Sequence, residues 1–379
     1  MNYLLRSVLR VVRPQAKEGI LRVKPYVGSE AHKGKILSEG RKLINISSNE
    51  SAFDASPAAK EAFMGSAGDL IRYPEIDAMS LRMALASHHG INLENVICGA
   101  GSDQIIDLLA LAYAGIGDEV VYSAHGFQMY PIAAHAVGAT PVAAPELNLT
   151  ADVDLLLEKV TDKTKILFLA NPNNPTGSYV SQSEIKRLHA GLPGNVILVI
   201  DAAYAEYVTA EDYDSGIELV RNENNVVMTR TFSKIYGLAS LRVGWAYGPK
   251  EIIETLDRIR PPFNVNSIGI SGAIAALADK EHTKKSKLHN SEILHWFTEE
   301  VKRMGLKSHP SFANFLIVYF DPNTPKNAEA AYQFLFERGI ITRRVGGYGL
   351  PDWVRISMGT QEEMEIVSAT LKEFVEKND

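Results

Sequence analysis

The run Val196-Ile-Leu-Val-Ile200, closed by Asp201, constrains the fold of this chain more than any other feature. Side chains of a strand alternate between faces, so a strand without a polar position must be covered on both sides. Lys165-Ile-Leu-Phe-Leu-Ala170 and Asn225-Val-Val-Met-Thr229 repeat the pattern, with shorter versions at Asn95–Gly99 and Asp118–Ser123. Helical patterns separate the strands, at Asp103–Ala114 and Tyr130–Gly138. This alternation predicts an α/β fold around a mostly parallel central sheet. Four of the strands end in polar residues, and open α/β sheets bind ligands along that carboxyl edge.

After Pro261-Pro262 the pattern changes. A long helical stretch, Ile268–Lys302, is followed by a strand at Phe315–Phe320, a helix at Ala328–Arg338, a strand at Trp353–Met358 and a terminal helix at Glu362–Lys377. The expected division is an N-terminal arm that joins a small domain (1–45), a large domain (46–262) and a smaller α+β domain (263–379). At 379 residues the chain exceeds one ordinary core, which suits that division.

A net charge of -6 without a basic block argues against a nucleic-acid binder. One cysteine, Cys98, excludes a disulfide framework, and the ten histidines lack metal-site spacing, so no metal is expected. No apolar run approaches the ~18 residues of a membrane span. Arg6, Arg10 and Arg13 stand at helical spacing in an apolar N-terminus, either a targeting segment or an arm that packs on the body or a partner subunit. The chain is expected in the cytoplasm.

Thr231-Phe-Ser-Lys234, with Arg242 eight residues on, sets a lysine among hydroxyls and a second cation. A lysine near other charge and out of water is nucleophilic near neutral pH, and hydroxyls with a guanidinium fork suit a phosphate dianion. Pyridoxal 5'-phosphate brings both an aldehyde and a phosphate; the alternative is a solvated lysine in an ordinary loop. Gly99-Ala-Gly-Ser102-Asp103 joins a strand to a helix, either plain capping or a second wall of a phosphate cup. Asp201 reads as an N-cap or as the partner of a protonated ring nitrogen, and Tyr204 as a packed aromatic or a donor to a ring hydroxyl. Asn174, in a loop with two prolines, is a turn residue or a rigidly held amide, and Phe127 a core ring or a stacking lid. Arg355, among apolar neighbours on a strand, is paired structurally or grips an anionic substrate. Arg343 and Arg344 either add positive potential nearby or form a solvated basic pair.

These segments together resemble the fold-type I, class II aminotransferases, and within that family the histidinol-phosphate branch. The matching motifs are S-S-N-E at Asn49, R-Y-P at Tyr73, G-A-G-S-D at 99–103, N-P-N-N-P-T-G at 171–177 and D-A-A-Y at 201–204. They continue with R-T-F-S-K-x-Y-G-L-A-x-L-R-V-G, R-P-P-F-N-V-N at 260–266 and G-Y-G-L-P-x-W-V-R-I-S-x-G-T. The motifs follow family order from about residue 20 to the end.

The resemblance implies a pyridoxal 5'-phosphate enzyme that moves an amino group between a phosphorylated amine and a keto acid. Lys234 would form the Schiff base and shuttle the proton, and Asp201 would face the pyridine nitrogen. Asn174 and Tyr204 would meet the ring oxygen, and Phe127 would stack on the ring. Ser102, Asp103, Thr231, Ser233 and Arg242 would hold the phosphate, joined by Tyr73 from the neighbouring subunit of a homodimer. Arg355, with Arg343 and Asn49, would bind substrate. Rival readings on the same scaffold are an aminotransferase for aromatic amino acids or another phosphorylated amine, and a decarboxylase of amino-acid phosphates. Three departures from the family pattern, Ser51–Pro57, Ser240 and Arg344, are expected around the substrate entrance.

Overall fold

The computed structural model describes residues 16–23, 43–66, 68 and 70–377, so Arg6, Arg10 and Arg13 lie outside the described residues. A seven-stranded sheet runs in the order Val96–Gly99, Gly244–Tyr247, Val226–Thr231, Ile197–Asp201, Thr164–Ala170, Glu119–Ser123, Thr140–Ala144. All neighbours are parallel except Gly244–Tyr247, which is antiparallel to both of its partners.

The apolar runs sort by parity onto two buried faces. Leu167, Leu169, Leu198, Ile200, Val226 and Met228 enter one core with helices Met79–His89, Gln182–Gly191 and Ser267–Ala278. Ile166, Phe168, Ile197, Val199 and Val227 enter the other, with helices Ser102–Tyr113, Met129–Val137 and Lys250–Ile259. Coverage of both faces is what the unbroken runs require.

The mostly parallel sheet is therefore the expected one. Two strands of this sheet were not anticipated: Thr140–Ala144, at its edge, and Gly244–Tyr247, which follows the lysine segment. The expected helix Ile268–Lys302 is two helices, Ser267–Ala278 and Lys280–Arg303. Asp279 divides them, because its side chain accepts from the His282 N–H at 3.0 Å and caps the second helix.

A second, four-stranded antiparallel sheet runs Lys307–Ser308, Phe315–Tyr319, Trp353–Ser357, Arg343–Arg344. Its core takes Phe297 and Val301 from Lys280–Arg303, Leu335 from Ala328–Glu337 and Val367 and Leu371 from Gln361–Glu376. Ile44 and Ile46 join this core, and Ile44–Asn45 pairs in parallel with Ile340–Ile341. Among the described residues no helix is long and apolar enough to cross a membrane.

Candidate active site

Five parallel strands bring side chains, all but one of them polar, to one edge of the large sheet. Ser102 and Asp103 follow Val96–Gly99, Phe127 follows Glu119–Ser123, Asn174 follows Thr164–Ala170, and Asp201 and Thr231 end their own strands. Arg242 reaches the same edge because its strand runs the opposite way. A cavity of about 160 Å³ opens there, lined by these residues together with Ser48, Asn49, Tyr204, Ser233, Lys234 and Arg355.

Asp201 forms the dry end. Its carboxylate is buried and accepts from Tyr130 Oη at 2.8 Å and from Thr229 Oγ1 at 3.1 Å. Thr229 is its cross-strand neighbour, so the sheet register itself places that hydroxyl. Tyr130 is held flat on Phe168, with ring centroids 4.6 Å apart, and edge-on to Phe127 at 5.8 Å. Burial, opposed by these two hydrogen bonds and one from the Ala203 backbone, pushes the Asp201 carboxyl up from 3.8 to about 6. This end therefore favours a cationic hydrogen-bond donor, which would stabilise the carboxylate and be stabilised by it.

The opposite end is an anion cup. The helix Ser102–Tyr113 starts at Gly101, at φ 84°, with no side-chain cap on its N–H groups. A Cβ on Gly101 would come within 2.5 Å of Arg242 Nη2, and one on Gly244 within 2.2 Å of the Ser102 nitrogen. Glycine at both places lets the helix end, the strand and the guanidinium close up. Arg242 donates to Ser233 Oγ at 3.2 Å and to Asp103 Oδ2 at 3.0 Å. Thr231 Oγ1 accepts from the Ser233 N–H at 3.0 Å, fixing the turn that carries the lysine.

Lys234 stands between the two ends. Its Nζ donates to the Ser48 carbonyl at 3.2 Å and lies 5.7 Å from the centroid of the Tyr204 ring. Loss of water, with the Arg355 charge second, lowers its pKa from 10.5 to about 8. That drop raises the neutral fraction at pH 7 roughly 300-fold, which a nucleophilic amine requires.

The remaining wall is a hydrogen-bonded lattice from both sheets. Asn49, at φ 55°, donates through Nδ2 to Tyr204 Oη at 2.9 Å and accepts from Ser357 Oγ at 2.9 Å. Its amide therefore fastens Tyr204. Burial drives the Tyr204 hydroxyl well above its usual range and keeps it a neutral donor. Arg355 donates to the Ser47 carbonyl at 2.7 Å and to the Asn174 side chain, with its guanidinium 5.3 Å from the centroid of Phe315. Asn174 thus meets Arg355 directly.

The structure gathers every expected site residue around this cavity except Tyr73 and Arg343. Tyr73 is 82% exposed, stacked on Phe263. Arg343 is the cross-strand neighbour of Arg355 and adds charge from outside the lining. Tyr130 and Thr229 were missed. Thr229 lies two residues before Thr231, on the same face of its strand, and that spacing was the available signal; Tyr130 had none, since Phe127 precedes its helix.

None of the three departures is among the residues that line the cavity. Arg344 pairs with Glu329 and stacks over Tyr332 at 4.9 Å, because adjacent strand residues point to opposite faces. Phe53, in the altered 51–57 segment, packs against His289 at 4.6 Å. Ser240 is exposed, in the single turn Ala239–Leu241. Cys98 is buried, with its thiol pushed up to about 12, so it is inert. No cluster of metal-ligating side chains occurs among the described residues.

Residues 41–371 match the family described as aminotransferase class I and II. The chain is 49% identical over 362 residues to the histidinol-phosphate aminotransferase of Paramagnetospirillum magneticum, covering 96% of this chain and 99% of that protein. It is 50% identical over 362 residues to the histidinol-phosphate aminotransferase of Rhodospirillum centenum, with the same coverage of both chains. The crystal structure of histidinol-phosphate aminotransferase from Sinorhizobium meliloti in complex with pyridoxal-5'-phosphate superposes with a TM-score of 0.88 at 31% identity. That match covers 96% of this chain and 98% of the other.

Proposed function

Because the chain belongs to the class I and II aminotransferases, we propose that it exchanges the amino group of L-histidinol phosphate with 2-oxoglutarate, giving imidazole acetol phosphate and L-glutamate in histidine biosynthesis. The observation that carries the reading is the placement of the pKa-lowered Lys234 amine between a buried acid and an anion cup.

The lining fits pyridoxal 5'-phosphate. The uncapped helix end, Ser233, Thr231 and Arg242 make a cup for a phosphate dianion, and Asp201 suits a pyridinium nitrogen. In the cup Asp103 would serve through its backbone N–H, since its carboxylate already engages Arg242. Once bound through Lys234, the conjugated ring supplies the electron sink on which the reaction depends. Asp201, held by Tyr130 and Thr229, would keep the ring nitrogen protonated. Phe127 would cover the ring, Tyr204 and Asn174 would donate to its oxygen, and Lys234 Nζ would hold and return the substrate's α-proton. Arg355 grips the carboxylate of glutamate or the phosphate of histidinol phosphate, with Arg343 adding field and Asn49 setting Tyr204.

The working unit in this reading is a homodimer in the cytoplasm. Leu70, Ile71, Tyr73, Ile76 and Met83 are each more than half exposed, an apolar surface that a second copy would cover. Tyr73 would then reach the phosphate cup of its partner. We place the boundary between the two bodies at Asp279 and not after Pro262, because Ile270, Ala273 and Leu277 pack into the core of the large sheet.

The test is to mix cofactor-loaded protein with L-histidinol phosphate and no keto acid. Loss of the lysine-bound absorbance at one equivalent supports transamination of this amine. Conversion by glutamate alone keeps the aminotransferase and overturns the amine. Release of carbon dioxide would move the chain to the decarboxylase reading.

A further inference from the structure

Phe263 has a φ of 61°, a region that a bulky side chain occupies only under constraint. The constraint comes from its neighbours. Its N–H donates to the Ile76 carbonyl at 3.2 Å, and Arg260 Nη1 donates to the same oxygen at 2.6 Å. Arg260 Nη1 also reaches Asn264 Oδ1 at 3.1 Å, while its Nη2 is anchored on Asp257 at 2.8 Å. The arginine side chain is only 6% exposed.

The outcome of this turn is a ring stack. Phe263 lies against Tyr73 with centroids 4.7 Å apart and planes 22° from parallel. Tyr73 remains 82% exposed and does not line the cavity of its own chain. Backbone strain and a buried arginine therefore hold an aromatic ring outward, where a free tyrosine would sample several rotamers.

The same segment is tied to the anion cup. Asn264 Nδ2 donates to Gln104 Oε1 at 2.6 Å and to the Cys98 carbonyl at 3.1 Å. Gln104 Oε1 also accepts from the Ala100 N–H at 2.8 Å, inside the Gly99–Asp103 loop. Hydrogen bonds and one ring stack thus join the cup of one chain to its exposed Tyr73.

We infer that Phe263 is a positioning residue that holds Tyr73 for the phosphate cup of a second copy of this chain, with Asn264 fixing the pair to its own subunit's cup; this rests on the homodimer reading above. Prepaying the order of Tyr73 tightens cofactor binding in the partner without adding a contact there.

Hybrid dimers test the inference. The Phe263→Leu homodimer should bind pyridoxal 5'-phosphate up to about tenfold more weakly, the scale of one aromatic pair, in a titration of the full-length apo-protein followed by fluorescence. Phe263→Tyr, which keeps the stack, should restore binding. Pairing Phe263→Leu chains with Lys234→Ala chains leaves one lysine-bearing cavity, served by an intact Phe263–Tyr73 pair from its partner. Absorbance of lysine-bound cofactor at that cavity should return to the wild-type midpoint. A hybrid as weak as the Phe263→Leu homodimer overturns the inference, as does a Phe263→Leu homodimer that binds like wild type. Phe263→Gly guards against misfolding, since glycine relieves the strain while removing the ring: cofactor binding should fall with the melting temperature unchanged or higher. A lower melting temperature with unchanged binding would show a merely structural role. Tyr73→Phe in the same hybrid separates the two readings. Rescue of Tyr73→Phe without rescue of Phe263→Leu removes Phe263 and keeps the dimer contact; rescue of neither removes both.

Discussion

The two ends of the cavity handle charge by opposite means. At the Asp201 end a carboxylate is taken out of water, and its neutral donors only partly offset that loss, so its pKa rises to about 6. At the Arg242 end the charges stay wet: the guanidinium and its Asp103 partner are 47% and 40% exposed, 3.0 Å apart. Burial makes the first end a selective receptor for a cation. Solvation lets the second exchange one anion for another at little cost. Lys234 lies between them, desolvated like Asp201 and within the field of the Arg355 charge.

Each of the following measurements sharpens or breaks that contrast. Asp201→Asn keeps the shape and removes the charge, and should lower kcat by about 10³-fold with little salt dependence. A loss that varies strongly with ionic strength would show the acid to be solvated after all.

The same substitution has a signature in the apo-protein. The folded pKa of Asp201 lies above the unfolded value, so the folded state binds the extra proton and this group's contribution falls as pH rises through about 6. Asp201→Asn should be more stable than wild type by up to about 3 kcal/mol above that pH, with the difference vanishing below about pH 4. Urea unfolding at several pH values measures it, and a pH-independent difference would contradict the burial argument.

At the wet end, Arg242→Gln should weaken cofactor retention by about 10- to 100-fold, the scale of charge-assisted hydrogen bonds to a phosphate. The wild-type advantage should shrink in high salt, where exposed charges are screened. Tyr130→Phe removes one of the donors to Asp201 and should raise the apo-protein's carboxyl pKa further. Its cost should be about 1 kcal/mol, read by the same urea series. The smallest effect belongs to Glu329→Gln. It breaks an exposed pair with Arg344 on the face away from the cavity, and should change stability by less than about 1 kcal/mol and leave substrate KM unchanged. A shift in KM would put Arg344 back at the entrance.

Much of the site was legible in the sequence because parallel α/β sheets bring strand ends to one edge. A residue just after an apolar run is then at that edge whichever way the strands are ordered, which is why Lys234, Asp201, Asn174 and Ser102 could be singled out from spacing. Their partners were less legible. Tyr130 meets Asp201 from a helix 71 residues earlier in the chain, and Asn49 meets Tyr204 from 155 residues away. Neither pairing leaves a local pattern.

Local chemistry alone determined the buried strands, the carboxyl-edge residues and the lysine among hydroxyls, since these depend on side-chain parity and on residue type. Tertiary structure decided how each charge behaves. The pKa of Asp201 depends on the depth of its strand, and the direction of Arg344 on which face of a two-residue strand it occupies. The turn at Phe263 depends on an arginine and an amide that close around it. Burial, register and strain are properties of the packed chain; the sequence specifies them only through the fold as a whole.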